Sequence, residues 1–391
     1  MEIEIYLDPV NIDFDSNPDK NAPQCFGDKI VVYREKNKFP DLSEINLAIL
    51  GVKEDRNALL NKGCAEGPDH IRKYFYELYP GNYNNKIADI GNIIPGNTVD
   101  DTYFAVSTVI AKLIKYKITP IILGGSQDIS YANYLAYEQL GQIINIAAVD
   151  AAFDVGYQST DITAKSYLSK IIMHQPSCLF NFTNIGFQTY LVDQKAINLM
   201  SNLLFDTYRL GSIRENIEEA EPYIRNVDMV SFDVGAIRMS DAPGNAYALP
   251  NGFYGEEACQ IARYAGISDK LTSIGFYDYN PLFDNRFQTA ALIAQIIWYF
   301  IDGYYNRKND FPHIQKDDYL KYRVSVNDNT REIVFYKSKK SDRWWMEVPC
   351  PTDISKNYLR HYLVPCSYKD YLSALKEEMP DRWWQIFQKL M

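Results

Sequence analysis

The chain has 391 residues, 47% of them hydrophobic, enough for a sizeable buried core, which excludes disorder throughout. Its formal net charge is -10, with acidic and basic residues interspersed, so nothing supplies the phosphate neutralisation that nucleic-acid binding requires. Cys25, Cys64, Cys178, Cys259, Cys350 and Cys366 are scattered without C-x-x-C spacing, which speaks against a disulfide framework or zinc knuckle and for a reducing compartment.

Residues 1–40 are short, polar and proline-punctuated, and read as an N-terminal arm with two edge strands. The opening MEIEIYLDP has neither a basic n-region nor an apolar h-region, so the expectation is a cytoplasmic protein used as the whole chain. A main domain over 41–305 follows. In it, β-branched apolar runs alternate with helix-period stretches, the pattern of βαβ units on a parallel sheet covered on both faces. The strand candidates are INLAILG (45–51), TPIILGG (119–125), IINIAAVD (143–150), LFNFTNIGF (179–187), MVSFDV (229–234) and LTSIGFY (271–277). Asp100–Tyr116 and Gly255–Ala265 have the period and length of crossover helices. The pattern predicts an α/β, three-layer αβα sandwich on a mostly parallel sheet. Ala290–Phe300 is the most apolar later stretch and falls far short of the roughly 20 residues of a bilayer span, so no membrane partner is expected.

Residues 306–391 form a C-terminal extension expected to pack on the main domain, with strand-like YLKYRVSV (319–326) and REIVFYKS (331–338) and a helical pattern near the end. DRWW occurs at 342–345 and 381–384 with unlike flanks, which reads as coincidence rather than duplication. The tryptophans suit a small packed core better than an interface.

Ligands of open α/β sheets sit outside the carboxyl ends of the strands. There the sequence places Ser126-Gln127-Asp128, then Asp150-Ala151-Ala152-Phe153-Asp154, then Ser231-Phe232-Asp233-Val234-Gly235, followed by Asp241-Ala242-Pro243-Gly244. By residue type alone, Asp150, Asp154 and Asp233 suit a hard cation, because clustered carboxylates need a metal or a proton to coexist. Helix caps and turn hydrogen bonds explain each acid equally well, and residue type does not decide between them.

Taken in order, these segments resemble the ureohydrolase superfamily, which includes arginase, agmatinase and formimidoylglutamase. Its G-G-D-H motif corresponds to Gly124-Gly125-Ser126-Gln127, its D-A-H-x-D to Asp150–Asp154, and its S-F-D-x-D-x-x-D-P to Ser231–Met239. Ala242-Pro243-Gly244, Pro250-Asn251-Gly252-Phe253, and Asp278-Tyr279-Asn280-Pro281 in place of E-x-N-P continue the match. It spans roughly residues 45–303, and Leu179–Gln188 is most similar to the formimidoylglutamase branch.

The resemblance implies two metal sites that share two bridging aspartates. The first maps to Gln127, Asp150, Asp154 and Asp233; the second maps to Asp150, Ala152, Asp233 and Gly235, where Ala152 and Gly235 offer no ligand atom. In that family a hydroxide bridging two ions attacks the guanidino or formimino carbon, so losing the second site removes the nucleophile. The surviving oxygen donors imply either one Mg²⁺, Ca²⁺ or Mn²⁺, or no cation, with one aspartate protonated or paired with Arg238. Glu257 falls where the family has a substrate-facing carboxylate, and the helix dipole accounts for it as well. Ser166–Lys170 aligns loosely with substrate-contacting residues of the formimidoylglutamase branch. His70, His174, His313 and His361 all lie away from the motifs, which disfavours a histidine-ligated metal.

Two readings follow. The first is a descendant that has lost dimetal hydrolysis and binds a small molecule or a protein partner. The second is a formimidoylglutamase-type C–N hydrolase of formimino, amidino or guanidino compounds with a rebuilt single-metal site. The family's habit also suggests a homo-oligomer.

Overall fold

The computed structural model describes residues 3–14, 23–84, 86–156, 161–312, 318–326, 331–349 and 356–390. Its main sheet contains β1 (Leu7–Asp8), β2 (Val31–Val32), β3 (Leu47–Val52), β4 (Ile87–Ile93), β5 (Thr119–Leu123), β6 (Ile144–Val149), β7 (Leu179–Phe187), β8 (Asp206–Arg209), β9 (Met229–Asp233) and β10 (Ser273–Tyr277). The order is β1-β4-β3-β5-β10-β9-β6-β7-β8, with β2 also on β4. Every pairing is parallel except β1 on β4.

The continuous apolar runs form strands because both faces of the sheet are covered, so neither needs polar residues. Alternate residues enter two separate cores. Ile49, Ile121, Ala147, Val230 and Ile274 face one; Ala48, Ile122, Ile146 and Met229 face the other. Helices Val99–Lys115 and Gly255–Ile267 lie where their periods predict, the first opened by a Thr98–Asp101 capping box. The fold is the expected αβα sandwich.

β4 and β8 go beyond the expected set. Asp89, Gly91 and Asn92 interrupt the apolar pattern of β4, yet Asp89 is fully buried against Arg72. β8 is a short, polar edge strand. Among the described residues, no helix is long and apolar enough to cross a membrane. Cys350 and His313 lie outside the described residues.

The extension forms a separate antiparallel sheet of β11 (Tyr319–Val326), β12 (Arg331–Ser338), β13 (Trp344–Glu347) and β14 (Leu363–Cys366), with helices Tyr368–Leu375 and Asp381–Leu390. Trp344, Trp345 and Trp383 are buried, whereas Trp384 is 40% exposed. The first DRWW leads into strand β13 and the second into the final helix, so equal tetrapeptides take unlike conformations.

The extension docks on segments that lead into strands. Arg360 donates to Ile143 O just before β6 and binds Asp228 just before β9. Arg225 donates to the carbonyls of Trp344 and Cys366, and Arg343 donates to Ile267 O. All these contacts lie at the amino ends of the strands, opposite the ends where the sheet presents its polar side chains. The aromatic tail and the strand-end cleft are therefore not one surface.

Candidate active site

β5, β10, β9 and β6 are neighbours, and each delivers one polar residue at its carboxyl end. These are Gln127 just past β5, Asp278 after β10, Asp233 at the end of β9, and Asp150 after β6. Register enforces their convergence. Phe232 pairs with both Val149 and Phe276, and Asp233 pairs with Tyr277, so Asp150 and Asp278 flank Asp233 one step beyond the pairing. Gly125 lets the Gln127 loop approach: a Cβ there would lie 1.9 Å from Glu54 O. Asp154 and Asp278 take left-handed backbone with φ of 49° and 64°, a conformation aspartate tolerates better than most residues.

Carboxylate oxygens of Asp150, Asp154 and Asp233 lie within 4.8 Å of one another, all buried. Asp150 accepts from Ala152 N at 2.9 Å and from Gln127 Nε2 at 3.1 Å. The Gln127 amide nitrogen also lies 3.3 Å from Ser231 Oγ and 3.4 Å from the Tyr167 hydroxyl. Asp233 accepts from Gly235 N at 2.7 Å. The remaining partner is Lys165, which no motif singled out. Its Nζ is 3.3 Å from Asp233 Oδ2, 3.6 Å from Asp154 Oδ1 and 4.0 Å from Asp278 Oδ2. Gln127 Oε1, Asp154 Oδ2 and Asp278 Oδ2 are buried without a hydrogen-bond partner.

The electrostatics follow from burial. Desolvation, reinforced by Asp233, pushes the Asp150 carboxyl up to about 6 despite Lys165. Desolvation and Asp233 likewise push Asp278 up to about 8. Burial and the neighbouring Asp150 raise Asp154 well above the carboxylate range. Burial opposes the charge of Lys165, but Asp154, Asp233, Asp150 and Asp278 outweigh it and hold the ammonium well above the usual lysine value.

The other sequence candidates sit elsewhere. Arg238 does not pair with the aspartate cluster: its Nε bonds Asp241 Oδ1 at 2.9 Å, and its guanidinium stacks over Tyr254. Adjacent Asp241 is the nearer acid for a side chain leaving β9 after Gly235. Glu257 accepts from Tyr254 N at 2.8 Å as a helix cap and from Arg214 Nε at 3.1 Å. Asp128 is bound by the Tyr103 hydroxyl and Asn57. His70 stacks on Phe287, His174 meets Glu138, and His361 stacks on Phe180. Within Ser166–Lys170, Tyr167 reaches Gln127, and Lys165 immediately precedes that stretch. One signal for Lys165 was available in the sequence: clustered acids without metal ligands demand a cation from somewhere.

The residues present do not fit a metal pair. Ala152 and Gly235 offer backbone N–H groups to carboxylates, Gln127 turns a donor toward Asp150, and an ammonium lies among the remaining oxygens.

The overall fold has known relatives. The profile of the Arginase family matches residues 45–302. A formimidoylglutamase of Staphylococcus aureus (strain MRSA252) is 27% identical over 281 residues, covering 67% of this chain and 90% of that protein. The formimidoylglutamase structure of Bacillus subtilis subsp. subtilis str. 168 superposes with a TM-score of 0.67 at 18% identity, covering 75% of this chain and 95% of that one. The Trypanosoma cruzi formiminoglutamase, solved with Mn²⁺, gives a TM-score of 0.66 at 17% identity over 73% of this chain and all of that one. At these identities the superpositions speak for the fold.

Proposed function

Because this chain belongs to the arginase family, on its formimidoylglutamase branch, we propose that it has lost dimetal hydrolysis and serves as a ligand- or partner-binding member of that family. One observation carries the reading: at the three altered ligand positions, the groups facing the aspartates are N–H donors, from the Gln127 side chain and from the backbones of Ala152 and Gly235. Ala152 and Gly235 bring only these backbone donors and no side-chain ligand atom. Without two ions there is no bridging hydroxide to attack a formimino or guanidino carbon.

A cavity of about 460 Å³ at the carboxyl ends of β7 and β8 suits the binding role, lined by Gln188, Tyr190, Arg209, Arg214 and Asn251 among others. Arg209 gives it a positive group, while Arg214 is paired with Glu257 and Glu215 also lines it. A homo-oligomer working in the cytoplasm belongs to the same reading.

The test is turnover. Purified full-length protein with excess Mn²⁺ is expected to release neither formamide from formimidoylglutamate nor urea from agmatine or arginine above background. The proximity of Asp150, Asp154 and Asp233 motivates the second reading, a hydrolase with a rebuilt one-metal site. Manganese-dependent release that Asp233→Asn abolishes would establish that reading and end the first.

A further inference from the structure

We infer that Lys165 is the resident cation of this site: its ammonium supplies the counter-charge that lets Asp154, Asp233 and Asp278 share one buried space, and it excludes a divalent ion from that space. This inference rests on the non-hydrolytic reading above and names the group that stands in place of a metal.

Lys165 is aimed rather than incidental. Thr163 N donates to Ser166 Oγ at 2.9 Å, Ser166 N donates to Thr163 O at 3.0 Å, and Ala164 N is pinned to Asn57 O at 3.1 Å. This tight turn, with Ala164 fully buried in it, opens the helix Tyr167–Met173 and projects the intervening lysine toward the aspartates. The ammonium lies 5.3 Å from the centre of the Tyr247 ring, and Tyr247 is itself fixed, accepting from Leu60 N and donating its own N–H to Asn245 Oδ1. The side chain keeps 29% of its surface exposed, so the stem reaches inward from the rim while the charge lies among the acids.

Three carboxylates around one ammonium leave no room for a second cation. A divalent ion needs several oxygens at about 2.0–2.6 Å, and Asp154 Oδ1 and Asp233 Oδ2 already face Lys165 Nζ, a like charge, at 3.6 and 3.3 Å. Yet the cage has acceptor capacity to spare, because Asp154 Oδ2, Asp278 Oδ2 and Gln127 Oε1 are buried without a hydrogen bond. With the ammonium removed, those oxygens form a ready set for a hard cation.

The experiment compares wild type, Lys165→Met and Lys165→Arg as full-length proteins, reading Mn²⁺ retained after dialysis and the Tm with and without about 1 mM Mn²⁺, since an ion that binds only the folded state raises Tm. Wild type and Lys165→Arg are expected to retain no ion and show no shift. Lys165→Met is expected to retain about one ion per chain and gain several degrees, by the same linkage. Stoichiometric Mn²⁺ in wild type overturns the inference, and so does a folded Lys165→Met that binds none. If Lys165→Met fails to fold, refolding only with Mn²⁺ supports the inference; the wild-type titration stands alone in any case. Metal-free turnover by wild type would refute the non-hydrolytic reading and spare this inference, whereas Mn²⁺ uptake without turnover would do the reverse.

Discussion

Two clusters in the main sheet bury a cation against carboxylates, and they differ in how completely their polar groups are satisfied. Arg72, fully buried, donates from Nε and Nη2 to Asp89 at 2.8 and 3.0 Å, from Nη1 to Asn92 Oδ1 at 2.6 Å, and from Nη2 to Gly91 O at 2.9 Å. Asp89 also accepts from the Tyr76 hydroxyl and Gly91 N. Lys165 instead faces its acids at 3.3 to 4.0 Å, and two of those acids keep a buried oxygen without a hydrogen bond. A planar guanidinium set bidentate on Asp89, with Asp69 also at 3.2 Å, closes its network, whereas a point charge among three acids does not. The first cluster is a structural lock. The second leaves buried side-chain oxygens without a hydrogen-bond partner.

The largest effect expected from breaking this comparison is at the lock. Arg72→Met leaves Asp89 buried without a counter-charge and should cost about 3–5 kcal/mol, read as a shift in the urea unfolding midpoint. An unchanged midpoint would mean that the satisfied network contributes nothing to stability.

The Asp278 cage should respond with the opposite sign and a pH dependence. Burial and Asp233 raise Asp278 to about 8, so the fold favours its protonated form. That contribution is fully present below the ordinary carboxylate value of about 4 and is lost as pH rises through about 8. Asn at this position mimics the protonated acid and keeps an acceptor for Gln127 N, which donates to Asp278 Oδ1 at 3.2 Å. Asp278→Asn should therefore leave stability near pH 4 unchanged and raise it by about 1–3 kcal/mol at about pH 9, in urea titrations at the two pH values. Destabilisation at the higher pH would show that the Asp278 charge is fully compensated.

A third pair calibrates the small end. Arg214 and Glu257 meet at 3.1 Å with side chains 33% and 18% exposed. Glu257→Gln removes the ion pair and retains a capping acceptor, so the expected loss is below about 1 kcal/mol, measurable as a Tm change that shrinks in high salt.

The same contrast explains what was legible. The six runs were legible because apolar residues dominate each one, although Asn145, Asn181, Asn184 and Ser231 lie buried within them, while β4 was hidden by Asp89, Gly91 and Asn92, whose burial makes sense only with Arg72 seventeen positions upstream of Asp89. Asp150, Asp154 and Asp233 stood out because each lies at a strand end in a recognisable motif. Asp278 carried a weaker mark as a variant of E-x-N-P. Lys165 carried no mark of its own, since a lysine in a short turn looks like any solvated lysine; only the clustered acids called for a cation. The expected partner Arg238 was closer in sequence to Asp233, but its side chain bonds Asp241 instead.

By itself, then, the sequence determined the layered α/β architecture, the family, and that positions 152 and 235 carry no side-chain ligand atom. Hydrophobic period and side-chain chemistry are local properties, readable one segment at a time. Only the tertiary structure decided which cation meets the acids, which end of the sheet carries the extension, and that one DRWW leads into a strand while the other leads into a helix. Those outcomes depend on distances between segments far apart in the chain, set by strand register and by which partner is near enough to offset the cost of burying a charge.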